Sequence, residues 1–311
     1  MKKRILKYCL IVLLFLSAIM AHAQQDPLFT QYMNNPGLIN PAYAGSSGAM
    51  NLKGMFRKQW MGMDWSPTTT TLSFSSPLTK YDVGLGATFL DDQIGPMHQT
   101  GLYADYSRYF RFSEKRNLAL GLKAGFNYYD INLANLRRHE YDPILEANPQ
   151  TTAFLPNFGV GIYYFTTKFF AGLSVPKLIR NDIKDRNNTL TVLGKEERHY
   201  FLTTGALFDI DEPVFRLRLS AMARIVNGSP SSIEAEATGI IYDKVWVGIG
   251  YRLGDAITAH LRLQISHRLQ IGYSYDLNNS RLKQYNSGSH EIFVSYDFSF
   301  SRHRILSPRY F

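Results

Sequence analysis

The sequence predicts an all-β fold: a 14-stranded antiparallel transmembrane β-barrel of the outer-membrane type, with a periplasmic N-terminal arm and a C-terminal tail. Three observations carry this expectation. From Gly48 onward, apolar residues alternate with small or polar ones at a period of two. The alternating runs number fourteen, and many reach the roughly 9–11 residues that cross a bilayer as a tilted strand. The connections between them alternate between short and long, as tight periplasmic turns and outer loops do in such barrels. A soluble sandwich also alternates in period two, but it has no reason to alternate its loop lengths.

The chain begins with a secretory signal, residues 1–23. Lys2, Lys3, Arg4 and Lys7 form the positive region, residues 9–20 the apolar one, and Ala21-His22-Ala23 the small-residue cleavage site. The apolar run is short for a membrane anchor. Cleavage near Ala23 removes four basic side chains and no acids, so the net charge falls from +9 to +5. A charge so mild and so evenly spread argues against nucleic acid. The one cysteine, Cys9, leaves with the signal, which excludes disulfides and thiol chemistry.

Residues 24–47 form the arm, a candidate plug. Asn35-Pro36-Gly37 and Asn40-Pro41 are turn formers, because Pro fixes φ and Asn hydrogen-bonds its own turn. Phe29, Tyr32, Met33, Leu38, Ile39 and Tyr43 supply a spaced apolar surface. Disordered leaders rarely carry so many large apolar residues. The arm is therefore expected to pack, either inside the lumen or across the barrel floor.

The barrel occupies residues 48–300. Its strands are expected at 48–58, 67–76, 80–90, 98–111, 117–130, 152–165, 168–175, 198–209, 213–225, 232–241, 244–252, 257–266, 268–277 and 289–300. In 117–130 the even positions from Leu118 to Tyr128 are oily and the odd ones small or polar. In 213–225 the odd positions face lipid, which turns Arg216, Arg218 and Arg224 inward. The next strand offers Glu234 and Glu236, and Arg262 lies farther round with His260, Lys123, Asp105, Glu291 and Asp297. Such charges could line an ion-selective pore or fill a narrow lumen as a structural network. Opposed signs on neighbouring strands favour the network. Aromatic pairs near strand ends (Tyr128 and Tyr129, Tyr163 and Tyr164, Phe169 and Phe170, Tyr273 and Tyr275) are expected in the girdles at the two interfaces.

The tail, residues 301–311, contains Pro308, which cannot donate to a ladder, so the last strand should end near Phe300. Phe298, Phe300 and the terminal Phe311 are rival carriers of a barrel-assembly signal. No catalytic motif and no metal-ligand spacing occurs among the His and acidic residues, so neither an enzyme nor a cofactor or metal is expected.

The stretch from Asp26 and Pro27 through Phe29, Gln31, Tyr32, Asn35, Pro36, Asn40, Pro41, Tyr43 and Gly45 (DPLFTQYMNNPGLINPAYAG) resembles the N-terminal signature of the PorP/SprF family. DDQIGP, 91–96, is similar to the family's loop after its third strand. ILSPRYF, 305–311, with Pro308, Arg309, Tyr310 and Phe311, is similar to its tail. The resemblance implies an outer-membrane protein of type IX secretion and gliding in Bacteroidetes. It implies periplasmic partners, namely a peptidoglycan-binding lipoprotein and the secretion ring subunits, and one secreted, adhesin-like client. The alternative is a passive small-solute pore, which would need an open lumen.

Overall fold

Alternation in period two has one stable outcome when one face meets lipid: strands that pair on both sides and close, since no edge can stay unpaired there. The computed structural model, which describes residues 29–113, 115–133, 150–184, 192–227 and 230–298, shows this closure. The signal segment, Asp26, Pro27, and Pro308, Arg309, Tyr310 and Phe311 of the tail lie outside the described residues.

The barrel strands are β1 (Met50–Lys58), β2 (Thr68–Leu78), β3 (Val83–Ile94), β4 (Met97–Ser113), β5 (Arg116–Asn132), β6 (Gln150–Thr166) and β7 (Phe169–Val175) in the first half. A separate hairpin follows, β8 (Asn181–Lys184) and β9 (Val192–Glu196). The second half holds β10 (His199–Asp211), β11 (Phe215–Val226), β12 (Ser232–Ile241), β13 (Val245–Arg252), β14 (Ala256–Gln264), β15 (Leu269–Asn278) and β16 (Ser289–Phe298). Each barrel strand pairs antiparallel with its neighbours in chain order, with β7 against β10. The barrel closes where β1 meets β16, from Met50 opposite Phe298 to Lys58 opposite His290.

All fourteen expected strands are present, with ends that differ by a few residues. One difference matters. DDQIGP is not a loop: β3 runs through Ile94, and only Gly95 and Pro96 turn the chain. Asp92 is an inward strand residue and accepts a 2.5 Å hydrogen bond from the Thr69 hydroxyl. The connection over 176–198 is long, as expected, but carries the β8–β9 hairpin.

The outer face is apolar, with Leu120, Leu122, Phe158, Ile162, Leu219, Val247, Ile249 and Leu261 exposed. The inner face carries the polar phase. In each adjacent aromatic pair, the pleat sends one ring inward. Tyr129, Tyr163 and Phe170 are therefore buried in the lumen rather than in a girdle. Tyr163 stacks on Phe165, with ring centroids 5.3 Å apart.

Candidate functional site

The lumen holds the arm. Three short 3-10 turns, Tyr32–Asn34, Pro36–Leu38 and Pro41–Tyr43, fold it compactly. Proline opens the second and third turns, and the Asn40 side chain caps the third by accepting from Ala42 N at 2.9 Å. From Thr30 to Gly45 the arm descends from the loop side of the barrel to the turn side, where β1 begins.

At the loop side, Glu291 on β16 accepts the backbone N–H groups of Thr30 and Gln31, each at 2.9 Å. Asp276 on β15 accepts the Thr30 hydroxyl at 2.7 Å. Arg57 on β1 ties these together, 2.8 Å from Asp276, 3.2 Å from Glu291 and 2.5 Å from the Thr30 hydroxyl. Arg252 extends the cluster, 2.9 Å from Glu234 and 3.5 Å from Asp276. All these charged groups are buried, so each depends on its partners rather than on water.

Midway down, Lys53 donates to Asn34 O and Arg262 to Asn34 Oδ1, both at 2.8 Å. The Arg262 guanidinium also lies 4.2 Å from the Trp246 ring centroid, a cation–π contact. Asn35 donates to the Ser73 hydroxyl at 3.0 Å, and the Ser174 hydroxyl to Ile39 O at 2.7 Å. Near the turn side, Asn40 donates to Ile162 O at 3.0 Å and Gly45 N to the Ser75 hydroxyl at 2.7 Å. The hydroxyls of Ser107 and Tyr109 both donate to Ala44 O. Tyr32, Met33, Ile39 and Tyr43 join Tyr163, Phe170, Phe201 and Trp246 in one apolar core inside the barrel.

The wall makes room for the arm with glycine. A Cβ on Gly121 would strike the Ala42 backbone, and one on Gly84 would strike the Ala44 carbonyl. A cavity of about 70 Å³ remains between Phe29, Leu38 and Ile39 of the arm and Tyr103, Lys123 and Phe201 of the wall. That is room for a few waters.

The inward charges pair in part as their facing implies. Arg218 meets Glu236 on the next strand at 2.9 Å, and Thr238 and His260 join them. Arg216 instead turns to the barrel end, where it meets Asp209, Glu212 and Asp243. Glu234 goes to Arg252 rather than to an arginine of β11. Arg224 is buried on the same face. Lys53, Arg57, Arg252 and Asp276 were not singled out from the sequence. Their signal was available, since each stands on the polar phase of its strand.

A second closure lies on the loop side. Glu196, at the end of β9, accepts from Asn127 Nδ2 at 2.5 Å, the Tyr129 hydroxyl at 2.9 Å and Asn181 Nδ2 at 3.0 Å. Ile183 of β8 packs on Tyr129 and Ile131. The hairpin is thereby fastened to the inner wall at β5. Among the described residues, no three His, Cys, Asp or Glu side chains gather as metal ligands.

The family model for the type IX secretion system membrane protein PorP/SprF matches residues 21–296. The chain belongs to the PorP/SprF family. It is thus a membrane component of type IX secretion, and the family and barrel together place it in the outer membrane. Among solved structures it is similar to the CymD monoaromatic hydrocarbon channel, with a TM-score of 0.52 and 11% identity, over 89% of this chain and 94% of that one. A TodX monoaromatic hydrocarbon channel mutant gives 0.51 and 11%, over 86% and 95%. The outer membrane protein Omp33 of Acinetobacter baumannii gives 0.47 and 8%, over 80% and 98%. At these identities the first two likenesses are of fold alone. No curated protein matches the chain.

Proposed function

We propose that this PorP/SprF protein is a non-enzymatic docking component of the type IX secretion and gliding machinery, a barrel stopped by its own arm. Its signal is removed near Ala23, and its turn side faces the periplasm. There it meets a peptidoglycan-binding lipoprotein and ring subunits, and it exports or anchors one adhesin-like surface protein. The observation that carries this reading is the filled lumen. Residues 30–46 are packed and hydrogen-bonded against the wall from Glu291 to Ser107, which leaves surfaces rather than a channel to do the work.

The alternative, a passive small-solute pore, needs the arm to leave. Two experiments separate them. Purified full-length protein in liposomes should be electrically silent, and deletion of residues 24–45 should open conductance; steady conductance by the full-length protein would favour the pore. Crosslinking in outer membranes, followed by mass spectrometry, should recover periplasmic lipoprotein and secretion subunits at the short turns. Recovery of none of these would remove the docking reading.

A further inference from the structure

A cavity of about 590 Å³ opens at the loop-side rim, between the β1–β2 connection, the β3–β4 turn and the end of β5. It is separate from the plugged lumen and no part of the docking reading uses it. Trp65 forms one wall and is 51% exposed. Its backbone is held at φ 63°, in the left-handed region that a large side chain rarely adopts. Gly95 N donates to the Trp65 carbonyl at 3.1 Å, and the indole packs over Gly95, 3.7 Å from where a Cβ would stand. The ring is thus fixed along one edge and open on the other.

Five planar polar side chains stand in the lining, Asp64, Gln93, His98, Asp130 and Asn132, beside Pro96 and the hydroxyl residues Ser66 and Thr68. Asp64 makes no hydrogen bond or ion pair among the described residues, and the Gln93 amide has no side-chain partner there. Asp130 accepts one bond, from Gln150 at 2.9 Å, which leaves acceptor capacity. Lys58 donates to Ser66 O and the Thr68 hydroxyl at 3.0 and 2.8 Å, which leaves its ammonium one further N–H for a hydroxyl acceptor.

Each ligand class makes different demands. A metal needs several ligands brought together, and none gather. An anion would meet two carboxylates. An apolar solute would leave the polar groups unpaired. A sugar ring fits both halves of the site, since its C–H face can lie on an indole and its hydroxyls both donate and accept. We propose that this cleft is a saccharide-binding site, with Trp65 as the stacking platform and Asp64, Gln93 and Asp130 as hydroxyl partners.

The test uses the full-length protein, folded in detergent and checked by heat-modifiable gel mobility. Immobilised oligosaccharides are offered in two arms, lipid-free lipopolysaccharide core oligosaccharide and oligomers of hexose or N-acetylhexosamine. Retention on the first arm alone assigns the site to the leaflet's own sugars, and retention on the second to an external glycan; either supports it. Trp65→Ala should weaken retention about ten-fold, and Trp65→Phe, which keeps a ring, by less. Asp64→Asn, at an exposed position that the fold does not use, should weaken it several-fold with gel mobility unchanged. No retention by the wild-type protein on either arm overturns the proposal. So does wild-type retention by both Trp65→Ala and Asp64→Asn, or retention of a mixed peptide library in place of any saccharide.

Discussion

Arg57 on the first barrel strand and Glu291 on the last stand opposite each other in register, with 3.2 Å between guanidinium and carboxylate and both side chains buried. The pair sits on the seam where the barrel closes. The same carboxylate accepts two backbone N–H groups of the arm. Seam and plug are therefore held by one group, and closing the barrel with the arm outside would leave that group and Arg57 incompletely paired.

Glu291→Ala should expose this coupling. It takes one of two carboxylate partners from a buried arginine, which Asp276 still holds at 2.8 Å, and the acceptor from two N–H donors. Breaking a buried pair from one side costs ~3–5 kcal/mol, and the remaining partner keeps the loss at or below that range. The expected result is a lower melting step in heat-modifiable mobility, together with protease access to residues near Thr30. Glu291→Gln keeps an acceptor and should lie between the two. Wild-type melting in Glu291→Ala would show that the seam is held by its ladder alone.

The glycine cradle predicts a rescue. Gly121→Leu places a side chain where the Ala42 backbone runs. The variant should fold poorly or extrude its arm, seen as new conductance in liposomes. In a chain that also lacks residues 24–45, the same leucine faces free space and should cost far less. This non-additivity is the signature of a shared contact. Equal damage in both backgrounds would mean that Gly121 serves the strand and not the arm.

How far the sequence could be read depends on the range of each interaction. The strands were legible because a face in lipid leaves period two only one phase, as in Leu118 to Tyr128 against Ala119 to Tyr129. Inward facing was legible for the same reason at Arg216, Arg218 and Arg262. Partner choice was not. Facing fixes a direction, while Arg216 chose the acids of a turn and Glu234 an arginine one strand farther on. The end of β3 was misread because paired aspartates look like a loop. In the fold, Asp92 is satisfied by Thr69 and Asp91 by His98 at 2.7 Å. The arm's path depends on contacts more than 200 residues apart, such as Thr30 with Glu291, which no local pattern announces.

Glu196→Ala should release the β8–β9 hairpin without opening the barrel. Four donors, on Asn127, Tyr129, Asn157 and Asn181, lose their common acceptor, and Lys177 loses this carboxylate. Amide exchange over 181–184 should rise strongly, while the ladder of β5 with β6 stays protected. Loss of protection in β5 as well would show that the hairpin supports the wall and is not merely fastened to it.

The lipid face gives the last test. Leu219 points outward on β11, opposite Ala206 and Ala237 on its neighbours, and is 42% exposed on the outer surface. An arginine there meets hydrocarbon near the middle of the strand, at a cost of about 2–4 kcal/mol at mid-membrane. Leu219→Arg should therefore reduce the heat-modifiable fraction recovered from outer membranes, while Leu219→Phe leaves it unchanged. The next residue behaves differently. Ser220 faces the lumen opposite Gly205 and Glu236 and is buried there, because the arm and the wall side chains fill the interior. Facing inward would make Ser220→Arg mild in an open barrel. In this filled one it must displace packed groups, so it too should lower the melting step, and removing residues 24–45 should relieve Ser220→Arg but not Leu219→Arg. Relief of both, or of neither, would contradict the assignment of one face to lipid and the other to the arm.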